Sequence, residues 1–245
     1  MDINISRDPE ALGVNAGTAA ADLIRNTIAE NGSANIIMAT GTSQFQTLQT
    51  LIAAEGIDWS KVVMFHLDEY IGIPVSHPAS FRKYLQERFL AMVPALKGAY
   101  LINGEENPEK ECEMLSNLIL KYPIDVALVG IGENGHLAFN DPPADFDTVT
   151  PYIVVELDQP CRQQQYSEGW FKTLEDVPKR AISMSIKQVM KSKNIIGSVP
   201  DERKAPAVKN TVEQKVSNIY PASILQLHSA CTIFLDKASA SLLSS

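Results

Sequence analysis

The chain has little cysteine, no long hydrophobic run and no excess of positive charge, and each shortage removes a class of function. Its three cysteines, Cys112, Cys161 and Cys231, are odd in number and far apart, so neither a disulfide framework nor a zinc cluster is expected. No apolar stretch approaches the roughly 20 residues that cross a bilayer, which argues against a membrane partner. Met1 to Pro9 holds no cationic segment running into an apolar one, so a signal peptide is not expected and a soluble, cytoplasmic protein is. Lys and Arg number 21 against 29 Asp and Glu, a formal net charge of −8. A nucleic-acid partner needs a basic face and is therefore not expected either. Overall acidity still leaves room for a local basic pocket around a small phosphate. Internal repeats, low-complexity tracts and linkers are also missing from the 245 residues, which suits a single domain over 1–245.

What is present centres on one run, Val126 to Pro143. Four apolar residues, Val126 to Val129, read as a short strand buried on both faces. Glycines at 130, 132 and 135 follow, so the chain must turn tightly or admit another group against its backbone. His136 comes directly after the turn and Asp141 five residues later. An imidazole and a carboxylate thus stand at the carboxyl end of a buried strand, where open α/β sheets bind ligands. Gly130, Gly132 and Gly135 also match the dinucleotide-binding spacing. That motif should open the first βα unit and run into a helix. Here it lies mid-chain and meets Pro142-Pro143, which argues against a nicotinamide cofactor.

Taken in order, Asp8-Pro9 caps and starts a helix ending at Asn31-Gly32. Ile36 to Ala39 is a strand, and Thr40-Gly41-Thr42-Ser43 turns from it into a helix over Gln44–Glu55. Free N–H groups and the helix dipole make such a turn an anion site; an ordinary loop with a capping serine fits the same residues equally well. Val62 to Leu67 is the next strand. Asp68-Glu69-Tyr70 sits at its carboxyl end, either solvated or sharing a sheet edge with His136. His66 reads as a packed core residue, and His77 in its loop is open either way. Helices follow over Phe81–Phe89 and Pro108–Leu120. The span from Pro142 to Trp170 looks irregular and polar, either a lid over the site at 142–172 or a surface excursion. Strands at Ala181–Ser185, Asn194–Val199 and Cys231–Leu235 complete about seven. Lys204 opposes the dipole at the start of the helix Ala205–Glu213, which suits either a neighbouring bound anion or a solvated lysine. Strands alternating with helices predict one doubly wound, mainly parallel α/β sheet with helices on both faces, Rossmann-like in layout.

Four of these stretches together resemble the glucosamine-6-phosphate deaminase/isomerase family, a relative of 6-phosphogluconolactonase. They are Ala39 to Gln44, Phe65 to Ser80 with its Asp68-Glu69-Tyr70, Gly130 to Pro142, and Lys204 to Glu213, in the right order over nearly the whole chain. The resemblance implies isomerising deamination of an amino-sugar 6-phosphate, a hydrolase-class reaction that needs no metal and no redox cofactor. It implies that His136 shuttles the proton in opening the pyranose ring, since its ordinary pKa suits the task. Asp68 would be the base moving the C2 proton, and Asp141 and Asn134 would flank the histidine. Gly41, Thr42, Ser43 and Lys204 would hold the phosphate, with Glu69, Gly135 and Arg162 as further substrate-binding residues. The partner implied is a small sugar phosphate, with a homo-oligomer left open.

Three departures stand out. Asn134 replaces a commoner Asp, and Asp141 a commoner Glu, so the histidine has one charge fewer beside it. The phosphate turn reads Thr42-Ser43-Gln44 and lacks the usual proline. A second arginine of the lid, a phosphate ligand in the family, aligns near Trp170 and is missing. Two other readings compete. A 6-phosphogluconolactonase shares the glycine–histidine turn but not the Asp68-Glu69-Tyr70 stretch. A non-catalytic sugar-phosphate-binding protein would have the same pocket, though no helix-turn-helix segment accompanies it here.

Overall fold

The computed structural model describes residues 1–244. In chain order its strands are β1 (Asp2–Ser6), β2 (Ala34–Met38), β3 (Val62–His66), β4 (Asp68–Tyr70), β5 (Gly98–Tyr100), β6 (Val126–Val129), β7 (Tyr152–Glu156), β8 (Arg180–Met184), β9 (Asn194–Val199) and β10 (Cys231–Asp236). The α-helices are α1 (Pro9–Asn31), α2 (Phe45–Ala53), α3 (Phe81–Leu85), α4 (Pro108–Ile119), α5 (Gln159–Ser167), α6 (Ile186–Met190) and α7 (Ala205–Glu213).

The start of α1 shows how local chemistry sets these limits. The Asp8 carboxylate accepts the Ala11 N–H at 2.8 Å, and Pro9, which has no N–H to lose, takes the first turn. At the other end Gly32, at φ 77°, donates to Ile28 O. Leu12, Ala16, Ala20 and Ile24 recur along one face and are buried.

Seven strands form one sheet in the order β1-β10-β9-β6-β2-β3-β5, and every neighbouring pair is parallel. The chain steps outward from β2 to β3 and β5, then returns to lay β6 on the other side of β2. From there it steps outward again through β9 to β10. The direction therefore reverses between β2 and β6, which opens a crevice at their carboxyl ends. Residues alternate between two cores, as the strand period requires. Ile36, Met38, Met64 and Leu128 join the α1 and α2 side. Ile37, Phe65, Ala127 and Val129 join the side of α4 and α7.

Part of the expected layout is corrected. Ala181 to Ser185 does not enter the main sheet, and Asp68 to Tyr70 is itself a strand. Both belong to a second, antiparallel sheet ordered β4-β8-β7. The span from Pro142 to Trp170 is not irregular, because β7 and α5 lie inside it. Asp158 caps α5 by accepting the Cys161 N–H. The helix was hard to read because its inner face is Cys161, Gln164 and Gln165, polar enough to blur the helical period. Strands β1 and β5 escaped notice because each is a short edge strand with little buried surface. The second sheet and α5 close over the crevice around Tyr70, Phe139, Leu157, Cys161 and Phe171. Among the described residues no helix is long and apolar enough to cross a membrane.

Candidate active site

A cavity of about 480 Å³ lies in the crevice. The turn after β2 lines it with Gly41, Thr42 and Ser43, the end of β3 with Leu67 and Asp68, and the turn after β6 with Gly132 and His136. Arg203 and Lys204 enter from the loop after β9. Residues more than 160 positions apart thus meet because their strands end at one switch point.

His136 is held by three contacts. Its backbone N–H donates to Asn134 Oδ1 at 3.0 Å. Its Nδ1 lies 3.0 Å from Asp141 Oδ1, with the carboxylate oblique to the ring N–H. Its ring lies across Gly132, where any Cβ would press on the imidazole. Glycine at 132 therefore leaves the imidazole room to lie in this position. With Nδ1 beside Asp141, Nε2 is the nitrogen left for a substrate. Asn134 does not touch the imidazole, contrary to its expected role. Its amide donates to Asp141 Oδ1 at 2.9 Å and towards Asp158 at 3.3 Å, so it ties two acids together. Burial pushes the Asp141 carboxyl up, but His136, Asn134 and the Asp158 N–H outweigh it and hold the group below the ordinary value. Cys161 completes a trio with His136 and Asp141 whose donor atoms lie within 4.8 Å of one another. Burial and then the Asp141 and Asp158 charges raise the Cys161 thiol far above its usual range. A metal ion held there would have to displace that thiol proton as it bound.

Asp68 faces the same cavity and is buried, and no described side chain hydrogen-bonds to its carboxylate. Burial first, and then the charge of Glu69, push its pKa up to about 8. A carboxyl near neutrality is suited to exchanging protons at a carbon centre.

At the other end, Gly41 sits at φ 94°, outside the range other residues adopt comfortably. The 3₁₀ turn Thr42–Gln44 starts there and leaves the Thr42 and Ser43 N–H groups without a backbone acceptor among the described residues. Gln44, in place of the usual proline, bridges Ser43 Oγ and Ser198 O through its amide. Lys204 is buried beside this turn, with no hydrogen bond or ion pair for its ammonium among the described residues. Burial lowers its pKa from the ordinary value, with the Glu168 and Glu133 charges opposing.

Three expected binding residues are placed elsewhere. Glu69 is fully buried away from the cavity. Its carboxylate accepts from Tyr70 N at 2.9 Å, Ser80 Oγ at 2.9 Å, Phe81 N at 3.2 Å and Arg82 N at 2.7 Å, so it fastens the start of α3. Glu69→Gln is accordingly expected to cost about 2–4 kcal/mol of stability by denaturant unfolding, with KM unchanged in the folded protein. Arg162 spends its guanidinium on the carbonyls of Leu174 and Val177, pinning the segment after α5. Gly135, at φ 87°, turns the chain and gives its carbonyl to Ala222 N, while Gly130 and Gly132 are the turn glycines that line the cavity with His136. His77 is also outside the cavity, with Nδ1 accepting the Ala79 N–H.

The sequence reading missed Gln164, Gln165, Ser167 and Glu168, which α5 and its end bring to the cavity. Gln164 Oε1 accepts the Glu133 N–H at 2.8 Å, and Gln165 Oε1 accepts the Tyr70 hydroxyl at 2.6 Å. The signal available was a run of three glutamines too polar for a packed helix face. Arg203 was missed as well, although it adjoins Lys204.

Over residues 7–234 the chain matches the model of the family described as glucosamine-6-phosphate isomerases/6-phosphogluconolactonase. It is 36% identical over 231 residues to the glucosamine-6-phosphate deaminase of Streptococcus pneumoniae serotype 4, covering 94% of this chain and 96% of that one. Identity to the corresponding deaminase of Lactobacillus delbrueckii subsp. bulgaricus is 33% over 228 residues, 93% and 94% of the two chains. The structure is similar to that of a monomeric glucosamine-6-phosphate deaminase, with a TM-score of 0.91 at 31% identity over 99% of this chain and 100% of the other. A 6-phosphogluconolactonase from Trypanosoma brucei gives a TM-score of 0.80 at 17% identity, over 99% and 98% of the chains, and shares the fold.

Proposed function

Because the chain belongs to the glucosamine-6-phosphate isomerase/6-phosphogluconolactonase family, we propose that it deaminates an amino-sugar 6-phosphate, glucosamine 6-phosphate first among them, to a keto-hexose 6-phosphate and ammonia. The observation that carries this reading is the sharing of one cavity by three groups. These are a near-neutral carboxyl on Asp68, an imidazole on His136 backed by Asp141, and an unpaired Lys204 ammonium.

The chemistry follows from their sharing this cavity. Lys204 and the N–H groups at 42 and 43 hold the phosphate and so orient the sugar before any bond breaks. His136 Nε2 moves the proton between the C1 hydroxyl and the ring oxygen, which opens the pyranose to the aldehyde. Ionised Asp68 then takes the proton from C2 and returns it at C1, passing through an enolamine. The resulting ketimine is hydrolysed by water, so the C2–N bond breaks, a carbonyl forms and ammonia leaves. Phosphate charge keeps such a substrate inside cells, which supports a cytoplasmic location for the protein.

Ammonia release from glucosamine, galactosamine and mannosamine 6-phosphates tests the reading, with 6-phosphogluconolactone hydrolysis measured alongside. Lactone hydrolysis without ammonia release would overturn it, as would sugar-phosphate binding without turnover. Lys204→Ala is expected to raise KM by about 10- to 100-fold, with little change in Tm. An equal response to an unphosphorylated amino sugar would remove Lys204 from the phosphate end.

A further inference from the structure

Lys204 supplies one positive charge, and a sugar phosphate brings close to two negative ones. Arg203 and Lys204 are the only lysine or arginine side chains that line the cavity among the described residues. The segment after β6 offers no substitute at the cavity, since Arg162 is committed to the carbonyls of Leu174 and Val177.

Arg203 is set up unlike an ordinary surface arginine. Asp201 grips it with both oxygens, reaching Nε at 3.3 and 3.2 Å and Nη2 at 2.9 Å, and also accepts the Arg203 N–H at 2.9 Å. Asp201 sits at φ 89°, a strained backbone for a residue other than glycine. That strain is retained where it fixes a guanidinium at the rim of the cavity. The remaining nitrogen, Nη1, reaches Glu133 Oε1 at 3.4 Å, across from the Lys204 loop to the His136 turn. Both side chains of this last pair are partly exposed, and such pairs are weak. Guanidinium bonds to phosphate are strong and geometrically matched.

We infer that Arg203 is the second phosphate ligand of the site, its Nη1 exchanging Glu133 for a substrate phosphate oxygen while Asp201 keeps the guanidinium in place. Glu133 is then a competitor for the same nitrogen, and phosphate binding frees it from the loop that carries Lys204. Both cations come from one loop, so the phosphate end can be complete without any movement of α5.

The inference rests on the deaminase reading for its substrate but not for its readout, because inorganic phosphate serves as the probe. Arg203→Met is expected to raise the Kd of inorganic phosphate, measured by calorimetry, and the KM for glucosamine 6-phosphate by about 10- to 100-fold, with kcat changed far less. Arg203→Lys should recover part of that loss. Glu133→Gln should act in the opposite direction and tighten phosphate about two- to fivefold, a response that a merely structural arginine would not give. Unchanged phosphate binding in Arg203→Met, weaker binding in Glu133→Gln, or no phosphate binding by the parent protein would each overturn the assignment. Absence of ammonia release from every amino-sugar phosphate would instead sink the deaminase reading, while the phosphate Kd would still decide the role of Arg203.

Discussion

Asp68→Asn is expected to lower kcat by about two orders of magnitude or more, the usual scale for a positioned base, while the protein stays folded. The substitution keeps the size of the side chain and removes its ability to accept a proton from C2. The pH dependence carries the same signature. Burial holds the Asp68 pKa up to about 8 in the free protein, so the ionised base is scarce below that pH. The acidic limb of kcat/KM should therefore rise towards pH 8, and the residual activity of Asp68→Asn should lack that limb. Stability moves the other way. A carboxyl whose folded pKa exceeds its unfolded value favours the native state at acid pH, and that advantage is lost as pH rises through the folded pKa. Wild type should thus lose stability relative to Asp68→Asn between about pH 4 and 8, by at most ~1.4 kcal/mol per pH unit. Near-wild-type turnover in a folded Asp68→Asn protein would exclude the residue as the base.

Asp141→Asn is expected to lower kcat by about two to three orders of magnitude, with a smaller effect on KM. Among the described residues Asp141 is the carboxylate in contact with His136 Nδ1, so its removal leaves the imidazole free to take the wrong tautomer. The acid's pKa is held below its ordinary value in the fold. Its contribution to stability is therefore present at neutral pH and is lost as pH falls through that depressed pKa. Asn134→Asp is informative beside it. Because the Asn134 amide lies between Asp141 and Asp158, a third carboxylate there would meet two others. That variant should be less stable than the parent at pH 7 and recover on acidification. If Asp141→Asn proved harmless, ring opening would have to be assigned to a group other than His136.

How far the sequence reveals this site depends on which part is considered. Val126 to Val129 followed by three glycines and His136 can be read directly, because a buried strand and a tight turn each have a short, local signature. The Gly41–Ser43 turn after β2 and the placing of Lys204 in the same cavity follow once the strands are put in one parallel sheet. Asp68 and Glu69 show where local reading fails. Adjacent residues on a strand point to opposite faces, so one acid enters the cavity and the other is spent capping α3, and the sequence alone does not say which. The second sheet was invisible for a related reason. Strand β4 begins one residue after β3 ends and pairs with β8 more than 100 positions away. Only tertiary packing decides that Leu67 is a corner and not a continuation.

The pairing of β1 with β10 bears on how the protein is made. Strand β1 touches no other strand of the sheet, and its register runs from Asp2 beside Thr232 to Ser6 beside Asp236. A ribosome adding about 5–20 residues each second must therefore work for roughly 10 to 45 s after the β1 residues are made before their partner exists. During that interval the first strand waits with its N–H and C=O groups open and with Ile3 and Ile5, solvent-facing even in the finished fold, unshielded. Synthesis leaves this edge vulnerable to a passing strand of another nascent chain until β10 emerges to cover it.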